Sequence, residues 1–518
     1  MRKPEKIRII KNVSSSWLSL GINILVGISL SPFILHRLGD AAFGIWVLIF
    51  SITGYYGLFD LGIRSSIVRH VSKYAATNDF DAMAKLINTS LFAYSCIGVV
   101  CLLLTLLGTL YVDRLFRIPA EFASSARWLF LLVGASVSLG FPLGVFGGVL
   151  EGLQRFYVLN WTNVVSTLAR AALIVYYLNR GYGLLTVALI TVVLPLIVSL
   201  VRGAWALRIL RVPFSLGKID RATFREMASY SGVTFMILVA GRLRFKTDEI
   251  VIGTMLSAVA ITYFNIGARI VDYAGEVVTS LSQIFVPMSS ESDAKGNVDR
   301  LRKIFVAGNR FCAFVIFPIC TVLVILGKSV IEAWVGAKYV AQSYPVLVIM
   351  ILPTTLMLAQ AASPRILFGM SRHGTLAKAV LLEGVSNLVL SVALVRPYGI
   401  VGDALGTAIP LTCTMLFFLP WHLCKRLGIQ MQTYLRQAYV LPLLLCAPLA
   451  VTLLLLRSWF VAHNYRQLAL QLGIGGLVYG SGLLWAFSTK RALDVGDLTP
   501  SQNRQRLGVV AEGLRQDV

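Results

Sequence analysis

Apolar runs of roughly 20 residues recur along the whole chain, each long enough to cross a lipid bilayer as a helix. Inside lipid a backbone satisfies its N–H and C=O groups only in helices or in a closed barrel. A barrel would show short alternating segments instead. The chain is therefore read as an all-α polytopic membrane protein. Composition agrees: of 518 residues, 57% are hydrophobic and only 14% charged, with a mean hydropathy of +0.76, outside the range of soluble domains.

About fourteen transmembrane helices are expected by the length rule. They run from 13–35 to 468–488 and include 231–255 and 260–287. The basic N-terminus, MRKPEKIRIIKN, flows into a run too long for a signal-peptide core and reads as an uncleaved first helix. The seven cysteines lie in or at the ends of apolar runs, without metal spacing, and imply no disulfide framework.

The net charge of +23 would suggest nucleic acid in a soluble protein. Here its placement speaks of topology, and no nucleic-acid partner is expected. The connections HRLGDA, NRGYG and RPYG are short and carry few bases. The alternate set, with RHVSKYAATNDFDAMAK, LRILRVPFSLGKIDRATFRE and SDAKGNVDRLRK, is strongly basic. The positive-inside rule puts this set and both termini in the cytoplasm.

The chain repeats itself weakly. RLGDAAFGIW at 37–46 lies over MLSAVAITYF at 255–264, and at the same offset of 218 ATNDFDAMAKLI at 76–87 lies over AKGNVDRLRKIF at 294–305. GLQRFYVL at 152–159 lies over GMSRHGTL at 369–376, and RGYGLL at 180–185 over RPYGIV at 396–401. The matches include polar loop residues at nearly constant offset, so two six-helix halves are expected. An even helix number per half makes them parallel repeats. The expected organisation is an N-lobe at 1–215, a C-lobe at 216–430, and a final helix pair with a basic cytoplasmic tail at 431–518.

One stretch breaks the apolar pattern. Residues 241–250 read GRLRFKTDEI, between SGVTFMILVA and VIGTMLSAVA. Neither flank is long enough to cross alone, so the charges are expected inside a continuous helix over 231–255. On such a helix Arg242, Lys246 and Glu249 share one face, and Arg244 and Asp248 are spaced to pair. The next span carries a second polar stripe of Arg269, Asp272, Tyr273 and Glu276. Arg170 and Asn163 lie in 160–178, and Glu383 and Asn387 in 376–395.

A charge at the bilayer centre costs about 2.5–3.5 kcal/mol on insertion scales and normally faces a cavity or a partner. Two roles stay open for these groups. They could be interhelical salt bridges, or they could line a cationic cavity, where arginine forks match phosphate geometry. The acids could then hold a proton or sodium ion that drives transport. Asp79-Phe80-Asp81 looks like a sugar-transferase metal motif but sits in a surface segment without a nucleotide fold. No Walker motif, metal cluster or catalytic triad is found, and no cofactor is expected beyond an ion gradient.

The segment YYGLFDLGIRSSIVRHVSKYAATND, Tyr55 to Asp79, resembles the Wzx-type polysaccharide (O-antigen) flippases of the multidrug/oligosaccharidyl-lipid/polysaccharide exporter superfamily. There an Asp-x-Gly closes a helix before a basic loop, matched here by Asp60, Gly62, Arg69 and Asn78-Asp79. TDEIVIGTMLSAVAITYFNIGARI agrees through Asp248, Gly253, Tyr263 and Arg269.

The resemblance implies a MATE-like fold and a non-enzymatic flippase in a bacterial inner membrane. Its substrate would be a polyprenyl-pyrophosphate-linked oligosaccharide, drawn from among the membrane lipids, with a polysaccharide polymerase and chain-length proteins as candidate partners. Arg242, Lys246, Arg269, Arg170 and Arg244 would bind substrate. Glu249, Asp272, Glu276 and Asp248 would carry the coupling ion, and Asp60 would cap or gate the cytoplasmic end. Alternatives are a cation-coupled multidrug antiporter of the same fold and, at greater distance, a membrane polysaccharide polymerase.

Overall fold

The computed structural model describes residues 3–210, 219–372, 374–489 and 491, and among these there are helices and no strands. Among the described residues eleven segments are long and apolar enough to cross a membrane. One of them, Gly374–Leu427, doubles back at Gly399, where φ is +59°. The helices over 231–255 and 260–287 fall outside this apolar set, and these are the two charge-bearing spans.

Contacts divide the chain into two compact units, Met1–Thr262 and Tyr263–Val518. In the first unit the long helices are α1 (Lys3–Leu38), α2 (Asp40–Gly54), α4 (Phe80–Leu115), α5 (Ala123–Gly152), α6 (Phe156–Asn179) and α7 (Leu184–Leu210). A 3-10 stretch, Tyr55–Asp60, leads from α2 to the short basic α3 (Ile63–Thr77). Then come α8 (Arg221–Phe245) and α9 (Asp248–Met255). The repeat boundary at 215/216 and the contact boundary differ because α8 packs on α3 and α4, and α9 on α2.

Lipid gives helices little hydrophobic reason to associate, so close packing and interhelical hydrogen bonds must hold them. The seam between α1 and α6 is polar along its length. Asn160 donates to Ser15 Oγ (3.0 Å) and Ser16 Oγ (2.9 Å), and Thr167 donates to Asn23 Oδ1 (2.8 Å). Around α3 an apolar core forms from Ile67, Val71, Met83, Leu86, Val145, Val149 and Met227.

The second unit begins within α10 (Ala258–Ser282) and continues with α11 (Phe285–Ala294), α12 (Val298–Val335), α13 (Val340–Ala359), α14 (Ala362–Gly369) and the hairpin α15 (Gly374–Cys413). It ends with α16 (Leu419–Leu427), α17 (Met431–Leu435), α18 (Leu441–Trp459) and α19 (Tyr465–Ser488). The last pair docks on α12, where Tyr479 donates to the Phe314 carbonyl at 2.7 Å; buried Arg310 of α12 donates to the Gln437 carbonyl, just before α18, at 2.6 Å.

The repeat reappears as backbone geometry within each unit. Asn78 (φ 55°) and Gly296 (φ 64°) are both left-handed and lie 218 residues apart. The residues after them are N-caps of nearly identical conformation, Asp79 (φ −85°, ψ 79°) and Asn297 (φ −85°, ψ 82°). Each caps the long helix that follows, Asp79 by accepting from Ala82 N–H and Asn297 from Arg300 N–H. Asp79 is thus a helix cap, and Asp81 lies in the first turn of the helix that it caps. Gln154 (φ 56°) and Ser371 (φ 54°) match at the second register. The glycines just before them sit against the short helix of their own unit.

A Cβ at Gly152 would lie 2.8 Å from Val71 Cβ and 2.9 Å from the Val68 carbonyl, and one at Gly369 2.7 Å from the Val286 carbonyl. Gly152→Ala and Gly369→Ala should each destabilise by about 1–3 kcal/mol through overpacking. Gly140→Ala, whose Cβ would meet nothing within 4 Å, serves as the control. Thermal melting of the purified protein checks this, and equal melting of all three variants would refute the close approach.

Candidate functional site

The charged stretch 241–250 does not lie on a continuous helix. α8 ends at Phe245, Lys246 departs from helical geometry (φ −135°, ψ 5°), and α9 begins at Asp248. The expected span 231–255 is therefore two helices, and the shared face drawn for Arg242, Lys246 and Glu249 loses its basis. The i, i+4 spacing of Arg244 and Asp248 likewise crosses the break. The order of charges gives the physical reason. Arg242 and Arg244 occupy the last turn of α8, and Asp248 and Glu249 the first turn of α9. A helix favours bases at its C-terminal end and acids at its N-terminal end, so both helix dipoles are stabilised by a stop and restart here.

The first unit closes around this break. Arg244, Thr247, Asp248 and Glu249 are buried, and Arg242 and Lys246 are half-buried. Thr247 Oγ1 donates to the Leu243 carbonyl (2.8 Å) and shares a hydrogen bond with Tyr55 Oη (2.8 Å). Tyr55 also reaches the Arg242 carbonyl at 3.4 Å. The Arg242 guanidinium lies along Gly54 and Gly57, where an added Cβ would stand 3.5 and 2.9 Å from its nitrogens.

Asp60, at the end of the same 3-10 stretch, accepts from the Tyr94 hydroxyl and from Arg64 N–H (3.4 Å). It holds the start of α3 just after the left-handed residues Leu61 and Gly62. Arg170 lies half-buried on α6. In the second unit Arg269 stands 3.8 Å from Asp272 and 4.9 Å over the Tyr273 ring, with Glu276 in electrostatic reach.

A third polar group, which sequence reasoning missed in part, lies inside the α15 hairpin. Asn387, Ser391, Asp403 and Thr407 are all buried. Ser391 Oγ donates to Asn387 Oδ1 (3.0 Å) and to the Asp403 carbonyl (3.3 Å), and Thr407 Oγ1 to Asn387 Oδ1 (3.2 Å). Asn387 is evident from the sequence as a polar residue in a span, whereas Asp403 is absent from the residues singled out above. Its signal was available: a lone acid in the apolar run IVGDALGTA, beside Gly402 and Gly406, which let the hairpin arms meet.

These helices and interior charges define a polytopic helical membrane protein of the MATE-like fold. A solved lipid II flippase, MurJ in an inward closed conformation, matches it with a TM-score of 0.69 at 16% identity, over 93% of this chain and 99% of that one. An inward-facing multidrug MATE transporter matches with 0.67 at 13% identity, over 81% and 98%. The chain belongs to the polysaccharide biosynthesis protein family, whose sequence profile it matches over residues 9–293. It is 21% identical over 430 residues to the "Putative O-antigen transporter" of Shigella flexneri, covering 80% of this chain and 99% of that one. It is 24% identical over 324 residues to the protein of the same description in Salmonella typhi, covering 59% and 71%.

The hydroxyl pair at the break yields a direct test. Tyr55→Phe and Thr247→Val should each destabilise by about 0.5–1.5 kcal/mol. The double variant should lose less than the sum, because both remove one bond. Strict additivity in thermal melting would show that the two hydroxyls do not interact.

Proposed function

We propose that this chain is a lipid-linked oligosaccharide flippase: a secondary transporter rather than an enzyme. It moves polyprenyl-pyrophosphate-linked repeat units from the cytoplasmic to the outer leaflet of a bacterial inner membrane, with both its termini in the cytoplasm. The observation that carries the reading is a surplus of bases in the first unit. Among the described residues Arg170, Arg242 and Lys246 form no ion pair, although they lie on α6 and at the end of α8. Carrying unmatched cations within membrane helices is costly unless an anion visits them. A diphosphate bridging lipid and sugar supplies that charge, and guanidinium forks suit its oxygens.

Family membership and relatives described as O-antigen transporters support the same substrate class. Arg269, held by Asp272 and Tyr273, and Arg244 at the α8 terminus complete the proposed set of bases. The coupling ion, a proton or sodium, is assigned to Asp248, Glu249, Asp272 and Glu276. The all-oxygen group of Asn387, Ser391, Asp403 and Thr407 offers further donors of the kind hard cations take. Asp60 acts by anchoring α3 at the end of the unit that carries the basic loops. A polysaccharide polymerase and chain-length proteins are the proposed neighbours in the pathway.

The second reading, a multidrug antiporter, is kept alive by the multidrug transporters that share the fold at a similar TM-score. It expects acids in excess, because its substrates are cations.

Deleting the gene should abolish surface polysaccharide and let completed lipid-linked repeat units accumulate at the cytoplasmic face. Complementation with Arg242→Ala or Arg170→Ala should restore membrane insertion but lower polymer export by about tenfold or more, the effect of roughly 1.4 kcal/mol. Unchanged polymer after deletion, together with a new drug sensitivity, would move the assignment to the antiporter.

A further inference from the structure

We propose that Arg64 and Arg202 form a separate oxyanion site at the end of the first unit that carries its basic loops, where the phosphate of an anionic lipid is taken up before it reaches Arg170 and Arg242. The identity of that lipid rests on the flippase reading above; the site itself does not.

The backbone of Arg64 is fixed, since its N–H is held by Asp60 at the first turn of α3. Its side chain crosses α5 at Gly147, where an added Cβ would stand 3.7 Å from Nη2, and meets Glu151 Oε2 at 3.1 Å. Arg202 reaches from α7 to α6. Its Nε donates to Thr162 Oγ1 (2.8 Å), and Nη2 donates to the Leu159 carbonyl (2.9 Å) and Asn163 Oδ1 (2.8 Å). Gly203, next to Arg202, packs on Phe146, the neighbour of the Gly147 that Arg64 crosses, which brings the two guanidiniums within electrostatic reach of each other.

Two cations are thus held together against one carboxylate, with neutral oxygens supplying the remaining bonds. Among the described residues the Nη1 atoms of both arginines make no hydrogen bond, which leaves four N–H donors. Glu151 is a displaceable counterion: the Arg64 side chain is 52% exposed and that of Glu151 31%, and ion pairs so open to water are weak. A phosphate can replace the carboxylate on Arg64 and gain Arg202 as a second fork, an exchange that favours dianionic oxygens over a single carboxylate.

The test uses the purified full chain in phosphatidylcholine nanodiscs with farnesyl diphosphate as the probe. Arg64→Gln and Arg202→Gln should weaken its binding about tenfold or more. Glu151→Gln should tighten it severalfold by releasing Arg64, a change that a merely structural ion pair would not produce. Arg202 also holds the α6 backbone, so where its variant fails to fold, Arg64→Gln and Glu151→Gln decide. Competition by inorganic pyrophosphate would show that the site reads the diphosphate alone, and competition by phosphatidylglycerol that it reads phospholipid head groups; either keeps the oxyanion site and names its source.

Equal binding by wild type, Arg64→Gln and Glu151→Gln, or no binding by wild type, would overturn it. The deletion strain separates this from the flippase reading. Accumulated lipid-linked repeat units with unshifted binding would leave the flippase standing and remove the site. Shifted binding with unchanged polymer would do the reverse.

Discussion

Lipid offers no hydrogen bonds, and most of this structure follows from that. Backbone groups inside a span must be satisfied by the span itself, so the spans of the described chain are helical. Wherever the helix is interrupted, side chains must take over the orphaned groups. The interruption at Lys246 shows how this is done. Thr247 turns its hydroxyl back onto the Leu243 carbonyl, and Tyr55 brings a second hydroxyl from the neighbouring stretch to Thr247 and Arg242. The break is thereby solvated by protein. It can carry five charged residues without any of them lying on an unbroken apolar face.

The same constraint explains why the two units agree where they do. Their sequences have diverged until only scattered polar letters align. What persists is the short helix, the left-handed residue and the capped start of the next long helix. Asn78 and Gly296 differ chemically, as do Asp79 and Asn297, yet each pair adopts one conformation and does one job. A helix that begins at a membrane surface leaves its first N–H groups without partners inside the helix, and an Asp or Asn cap supplies one. Interior polar residues are under no such shared demand, and there the units differ.

Hydropathy made the spans readable because about 20 apolar residues have few other uses. The repeat was readable because its surviving letters sit in loops, where apolar bias does not create chance matches. The break at Lys246 is hidden in the sequence, because no glycine or proline marks it and a periodic reading assumes continuity. Its trace was in the order of the charges, since Arg242 and Arg244 before Asp248 and Glu249 is the order of one helix ending and another beginning. Asp60 was singled out by its Asp-x-Gly setting, but its partners Tyr94 and Arg64 are contacts of the folded unit. Arg64 and Arg202 escaped notice for a related reason. Each is unremarkable in its own segment and gains meaning only when α3, α5, α6 and α7 bring them close.

Interior bases are held in two ways, and the difference bears on mechanism. Arg269 is compensated on its own helix by Asp272 and the Tyr273 ring. Arg242 lies instead against glycines, and Arg202 against a carbonyl, an amide and a hydroxyl. Neutral oxygens orient a guanidinium without cancelling its charge. A base held that way keeps its full attraction for an anion and needs no carboxylate to be displaced first. A paired arginine binds the same anion only by giving up its carboxylate, an exchange that is easy where the pair is open to water, as at Arg64 and Glu151. Arg242 and Arg202 are thus held in the form that the proposed anionic group would need, fixed in position and without a carboxylate to displace.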